Sequence, residues 1–185
     1  MTNRIAIVTG AGQGMGRSVA MKLASDGNKI LVNDVNAEQA GSTVSKIKAL
    51  GGEAYSNNAD VTSRDEVTNM VDQCLTQYGK VHILVNNAGV LRPTKVIDIE
   101  EQEWDWVIAV NLKGTYLCSR AVLPAMQDAR WGRIVNFASL QSTRAFPGGL
   151  AYGASKGGIA QLTRAMAEEW SGDGICVNAI GPGFF

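Results

Sequence analysis

Imidazole is almost absent from this 185-residue chain, whose one histidine is His82. A Ser-His-Asp triad would have to use it. It falls near the start of a strand, at the opposite sheet edge from the serine that matters below, so a structural role is expected. Cysteine is sparse as well. Cys74, Cys118 and Cys176 are odd in number and show no paired metal spacing, which argues against a disulfide framework and a thiolate metal site. Buried free thiols and no metal are expected. No sign of charge dominates, since 17 Lys and Arg face 17 Asp and Glu. Nothing therefore points to nucleic acid or an anionic membrane surface. The longest apolar runs are strand-sized, too short for a transmembrane helix. Met1 leads through polar residues into a strand, leaving no room for a signal peptide, so a cytoplasmic protein is expected. The length suits one domain, residues 1–185.

What the chain does contain is a proton-transfer pattern. Tyr152 and Lys156 are four residues apart near the start of a helical stretch, and Ser139 precedes them at a strand end. Spacing of i and i+4 puts two helical side chains on one face, where an ammonium favours the phenolate of a neighbouring tyrosine. A serine hydroxyl there can hold a carbonyl oxygen while the phenol gives or takes a proton.

The electron partner lies at the other end. Residues 4–9 read as a buried β-branched strand. It runs into Gly10, Gly12, Gln13, Gly14, Met15 and Gly16 and then a helical pattern. Strand, glycine turn and helix is the layout in which backbone N–H groups and a helix N-terminus hold a pyrophosphate. The strict G-x-G-x-x-G pattern fails in every register; T-G-x-x-x-G-x-G, from Thr9 to Gly16, fits. An acidic residue ending the next strand completes the context: residues 29–33 lead into Asp34. Its carboxylate can accept from both hydroxyls of an adenosine ribose and repels a 2′-phosphate, and neither Gln13 nor Val35 supplies a cation. NAD(H) is expected over NADP(H). The other reading of Asp34 is a cap for the helix beginning near Ala37.

Strand-like and helix-like segments alternate throughout. Strands are expected at 53–57, 81–85, 133–137 and 175–180. Helices are expected at 37–50, from the Ser63-x-x-Glu66 capping box to Tyr78, and at about 100–126, interrupted by Gly114 and bent near Pro124. Trp104 and Trp106 in that long helix read as core or subunit contacts. Asp128, Arg130 and Arg133 read as solvated turn residues. Repeated β-α units mean a doubly wound parallel sheet in three α/β/α layers. The glycine turn, Asp34, Asp60, Asn86 to Gly89, Ser139 and Gly181 to Gly183 all fall at carboxyl ends of strands, where such sheets bind ligands.

Together these residues resemble the short-chain dehydrogenase/reductase family, a Rossmann fold. The resemblance covers the whole chain: Thr9 to Gly16, Asp60-Val61, Asn86-Asn-Ala-Gly89, Asn111, Ser139, Tyr152-x-x-x-Lys156 and Asn178-Ala-x-Gly-Pro182-Gly183. It implies that Asp60 contacts the adenine amino group, with the Val61 backbone nearby. Asn87, Ala88 and Gly89 would line the adenosine side, and Pro182 and Gly183 would also contact the cofactor. Tyr152 would be the general acid/base. Lys156 would assist it and bind the nicotinamide ribose, Ser139 would orient the substrate carbonyl, and Asn111 would hold a water in a proton relay to Lys156. The family pairs the long helix and the Tyr-Lys helix between subunits, implying a homodimer or homotetramer. Gly153, Gly157 and Gly158 in the latter helix, each about 1 kcal/mol worse than alanine, fit such close packing.

The family pattern also expects a threonine shortly after Pro-Gly, a mobile substrate loop and a final strand. These are missing, so the sixth strand is expected to be an exposed edge and the chain reads as the incomplete record of a longer enzyme. The expected reaction interconverts a secondary alcohol and a ketone. Residues 148–185 resemble sugar-acid and polyol dehydrogenases such as gluconate 5-dehydrogenase. The alternatives are a 3-oxoacyl-carrier-protein reductase and an inactive, truncated cofactor-binding protein acting through subunit association.

Overall fold

The computed structural model describes residues 3–183. Among these, six parallel strands form one sheet: β1 (Ile5–Val8), β2 (Lys29–Asn33), β3 (Glu53–Asn57), β4 (Ile83–Asn86), β5 (Gly132–Phe137) and β6 (Ile175–Ile180). Their order is β3-β2-β1-β4-β5-β6, so the chain winds outward from β1 in both directions. Helices α1 (Gly14–Ser25), α2 (Ala37–Ala49), α3 (Arg64–Tyr78), α4 (Glu101–Ile108), α5 (Gly114–Asp128) and α6 (Leu150–Trp170) cross between strands.

Alternation along β1 shows why its apolar run is unbroken. Ile5 and Ile7 face a core shared with Met70, Cys74, Val122, Met126 and Trp170, on α3, α5 and α6. Ala6 and Val8 face the opposite core, with Ala20, Ala24, Val44 and Ile47 on α1 and α2. A strand covered by helices on both sides needs apolar residues at every position. Registers such as Ile7 opposite Leu31 and Leu84 align the carboxyl ends of β1, β2 and β4. The order reverses at β1, which opens a crevice beyond those ends.

Several expectations are corrected. The long helix is two helices joined by a π-turn at Ala109–Lys113, and Gly114 opens α5 instead of breaking the helix. A Cβ there would lie 2.8 Å from Val61 Cγ2, so this glycine serves packing. The helix continues through Pro124. The capping box is half formed: Ser63 Oγ accepts from Glu66 N at 3.4 Å, but the Glu66 carboxylate accepts from Asp60 N at 2.9 Å. Cys74 and Cys118 are buried, whereas Cys176 is exposed. Position 176 points outward on β6, which lies at the sheet edge.

Arg133 is not a free solvated residue. Its guanidinium lies 4.4 Å from the Trp131 ring centroid, and that of Arg4 lies 3.7 Å from it. His82 meets the same indole edge-on, and its Nδ1 accepts from Ile5 N at 3.1 Å. The one histidine thus stitches β1 to the chain entering β4, at the sheet end remote from Ser139. No helix among the described residues is long and apolar enough to cross a membrane.

Candidate active site

The glycine turn sits where it does because β1 and β4 are latched together above it. Thr9 Oγ1 accepts from Asn87 N at 3.2 Å and Ala88 N at 3.1 Å. The Asn87 amide donates to Thr9 O at 3.0 Å and Gly10 O at 2.9 Å. Space is tight beneath the loop: a Cβ on Gly10 would come within 2.8 Å of Ala88 Cα, and one on Gly16 would drive into the Gly10 carbonyl. Gly14, at φ +55°, has open space where a side chain would be. Glycine is therefore demanded below by the protein and above by the room left for a ligand. Gly16→Ala should lower stability by about 1–3 kcal/mol, read as a drop in urea midpoint, and weaken cofactor binding; an unchanged midpoint and affinity would contradict this packing.

Asp34 is bound into the same construction. Its Oδ2 accepts from Gly12 N at 2.9 Å and its Oδ1 from Asn36 N at 3.0 Å. The cap of α2 is Asn36, whose side chain accepts from Gln39 N at 3.0 Å. The carboxylate of Asp34 is thus free of capping duty and lines the groove. The cation of the turn, Arg17, donates to Gly12 O and, at 3.1 Å, to Thr43 Oγ1.

Two adjoining cavities form one groove along the strand ends. The first, about 440 Å³, is lined by Gly10, Gln13, Met15, Asp34, Asp60, Val61, Asn87, Ala88 and Gly89 among others. It holds two carboxylates and no Lys or Arg. The second, about 270 Å³, shares Met15, Asn87, Gly89 and Val90 with it and adds Ser139, Tyr152, Lys156, Pro182 and Gly183. The structure therefore gathers nearly all the residues singled out from the sequence. Gly14 is exposed on the turn, Gly16 is buried under it, and Asn111 lies behind the wall, fully buried; none of the three lines either cavity.

Lys156 is 4% exposed, and its ammonium donates to Phe137 O at 2.5 Å and lies 5.5 Å from the Tyr152 ring centroid. Burial, which penalises the charged form, brings its pKa from 10.5 down to about 8. Ser139 Oγ accepts from Gln141 N at 3.1 Å, which leaves its proton to donate outward. Its turn is tied to α6, because Ser142 Oγ donates to Lys156 O at 2.8 Å while accepting from Ser139 N at 3.2 Å.

Asn111, in the π-turn, holds both backbone groups of Val90: Oδ1 accepts from Val90 N at 2.7 Å, and Nδ2 donates to Val90 O and Ser155 Oγ, each at 3.0 Å. Its side chain is committed to the wall of the groove and not directed at Lys156. The extra residue of a π-turn re-aims such groups and recurs at functional sites.

Sequence reasoning gave Trp106 as a core or subunit contact and missed that it is 46% exposed and lines the first cavity. It also missed the latch function of Thr9, the Phe137 carbonyl, and Gln141, whose Oε1 is buried without a hydrogen-bond partner. A single chain carries no signal for a backbone carbonyl or for the direction of a surface helix face.

The groove fits a dinucleotide: glycines where backbone must approach, a carboxylate at the end of β2, and a hydroxyl-phenol-ammonium group at the far end. Known proteins agree. The short chain dehydrogenase family model matches residues 4–185. The 3-oxoacyl-[acyl-carrier-protein] reductase FabG of Staphylococcus epidermidis is 42% identical over 183 residues, covering 98% of this chain and 75% of the relative. The (2S)-[(R)-hydroxy(phenyl)methyl]succinyl-CoA dehydrogenase subunit BbsD of Thauera aromatica is 40% identical, covering 98% and 73%. A metagenomic short-chain oxidoreductase solved in complex with NADP superposes with a TM-score of 0.95 at 36% identity, covering 100% of this chain and 84% of that one. The chain belongs to the short chain dehydrogenase family and is an NAD(P)-dependent oxidoreductase.

Proposed function

We propose that the chain interconverts a 3-hydroxyacyl and a 3-oxoacyl thioester using NAD(H). The observation carrying the reaction type is the second cavity, which puts Ser139, Tyr152 and Lys156 against the end of the glycine-turn groove. A nicotinamide cofactor bound along that groove supplies or accepts the hydride. The Ser139 hydroxyl, oriented by Gln141 N, donates to the substrate oxygen and fixes it. Tyr152 gives a proton to that oxygen as it gains charge, or removes one in the other direction. The Lys156 ammonium, held by Phe137 O and 5.5 Å from the Tyr152 ring centroid, puts a cation beside the phenol and has further N–H donors for a ribose. Gly10, Gln13, Gly14 and Met15 would hold the pyrophosphate. Asp34 would hold the adenosine ribose, and Asp60 and Val61 the adenine. Asn87, Ala88 and Gly89 would form the floor, and Pro182 and Gly183 the wall beside the nicotinamide. Asn111 would steady the Val90 wall, and a relay water would sit on its backbone side of the π-turn.

The relatives support the substrate class. Two of the three described above carry acyl-thioester names, which moves the reading away from sugar acids and polyols to the alternative drawn from the sequence. The cofactor choice rests on the groove's two carboxylates and absent cations, although the metagenomic relative was solved with NADP. Bringing a phosphate near Asp34 costs several kcal/mol at ~4 Å in a medium of intermediate dielectric. Exposed Tyr116 and Leu150, on α5 and α6, support a homo-oligomer through those helices.

Steady-state reduction of 3-oxobutanoyl-N-acetylcysteamine with NADH and NADPH, and oxidation of gluconate with NAD⁺ and NADP⁺, tests this reading. We expect the thioester to be preferred, with kcat/KM for NADH on the order of 10²-fold above NADPH, a gap that Asp34→Ser should narrow. Preference for gluconate would return the substrate to the sugar acids. Preference for NADPH would remove Asp34 from cofactor choice.

A further inference from the structure

Trp106 has an odd position for so large an apolar side chain. It is 46% exposed, although α4 has a buried position available at Val107. It lines the 440 Å³ cavity together with Val110, four residues on, and Val61. It also lines the neighbouring cavity of about 520 Å³ with Leu91, Arg92 and Pro93. The indole is thus a partition between two cavities, with apolar surface offered to each. Trp104, two residues earlier, lines neither. On the side of the 440 Å³ cavity, Trp106, Val61 and Val110 supply apolar surface at the end of the groove that Asp34 and Asp60 mark as polar. A flat heterocycle with hydrogen-bonding edges fits those walls: its faces take the apolar contacts and its rim meets the carboxylates.

We propose that Trp106 is a cofactor-binding residue that packs against the adenine ring and makes this chain's affinity depend on the adenosine half of the dinucleotide. The inference rests on the cofactor reading above and goes beyond it, because it assigns binding energy to an exposed residue outside every motif. Stacking of a base on an aromatic side chain changes affinity by about 10-fold or more on truncation to alanine. Binding shields an indole that otherwise faces water, so it also predicts a spectroscopic signature. NADH held beside Trp106 takes up tryptophan excitation and emits it as sensitised nicotinamide fluorescence.

The test titrates the wild type, Trp106→Ala and Trp106→Phe with NADH, with AMP as competitor, and with reduced nicotinamide mononucleotide, which lacks the adenosine. Trp106→Ala should weaken NADH and AMP by a similar factor, about 10-fold, leave the mononucleotide unchanged and lose most of the sensitised emission. Trp106→Phe should retain most of the affinity. Thermal unfolding should be nearly unmoved, since an exposed side chain is being cut. Unchanged NADH affinity in Trp106→Ala, or equal weakening of NADH and the mononucleotide, would overturn the assignment while leaving the cofactor reading intact. Failure of the wild type to bind NADH at all would overturn the cofactor reading, and this assignment with it.

Discussion

Tyr152→Phe should lower kcat by about 10²–10⁴-fold, the range for loss of a general acid/base, with NADH affinity and thermal stability held. The substitution removes one oxygen. The ring, its place above Lys156, and the Ser155 hydroxyl bond to the Tyr152 carbonyl at 2.7 Å do not depend on that oxygen. Ser139 remains tethered through Gln141 and Ser142, so the substrate still meets a fixed donor and the residual rate should be measurable. A variant with near wild-type kcat would mean that another group moves the proton, Lys156 being the other titratable side chain lining the second cavity.

Lys156→Met should separate function from stability: turnover falls sharply while the fold becomes firmer. Lys156 is buried, and its pKa is lowered from 10.5 to about 8. The folded state thus disfavours its charged form. Below about pH 8 the ammonium is charged in both folded and unfolded chains, so the folded chain bears the full penalty, about 3 kcal/mol. Between about pH 8 and 10.5 the folded group is neutral while the unfolded one is still charged, so the penalty lifts as pH rises. Methionine removes it at all pH values but strands the Phe137 carbonyl, which costs about 1–3 kcal/mol. The net gain expected at neutral pH is about 0–2 kcal/mol, shrinking and reversing at alkaline pH as the wild type sheds its charge. Urea midpoints at two pH values check this. A destabilised variant at neutral pH would show that the Lys156–Phe137 bond outweighs the burial of the charge. For the same reason, wild-type activity should decline as pH rises through about 8 and the cation that supports Tyr152 is lost.

Most of the fold was legible because α/β crossovers write it twice, once in apolar runs and once in the polar residues at strand ends. Runs such as Ile5–Val8 and Lys29–Asn33 had to be strands, being too short for helices and apolar on both faces. The residues just past them converged on one groove because a parallel sheet puts all its carboxyl ends on one side. What escaped depended on contacts between distant parts. The π-turn at Asn111 arises where the chain must reach Val90 and Ser155 at once, a demand no local pattern states. The Glu66 carboxylate chose Asp60 N over its own helix start because the preceding loop brought that donor within reach. Arg133 and Arg4 met Trp131 from elements far apart in sequence. Trp106 read as a core or subunit contact, and only the placement of α4 beside the groove put it against the first cavity.

Asp34 had two sequence readings, and hydrogen bonds distinguish them: Asn36 caps the helix, and Asp34 faces the groove while steadying Gly12. The same carboxylate cannot easily accept a phosphate, which is why cofactor choice is a sharper test of this groove than affinity alone.

The central claim is that hydride and proton reach one carbonyl in this groove, the proton through Tyr152. NADH carrying deuterium at the transferable position, incubated with 3-oxobutanoyl-N-acetylcysteamine, tests it by mass spectrometry of the alcohol formed. A single deuterium on the carbinol carbon is expected with the wild-type chain, and product formation slowed by orders of magnitude with Tyr152→Phe. Alcohol without the label, or labelled alcohol formed equally fast by Tyr152→Phe, would contradict it.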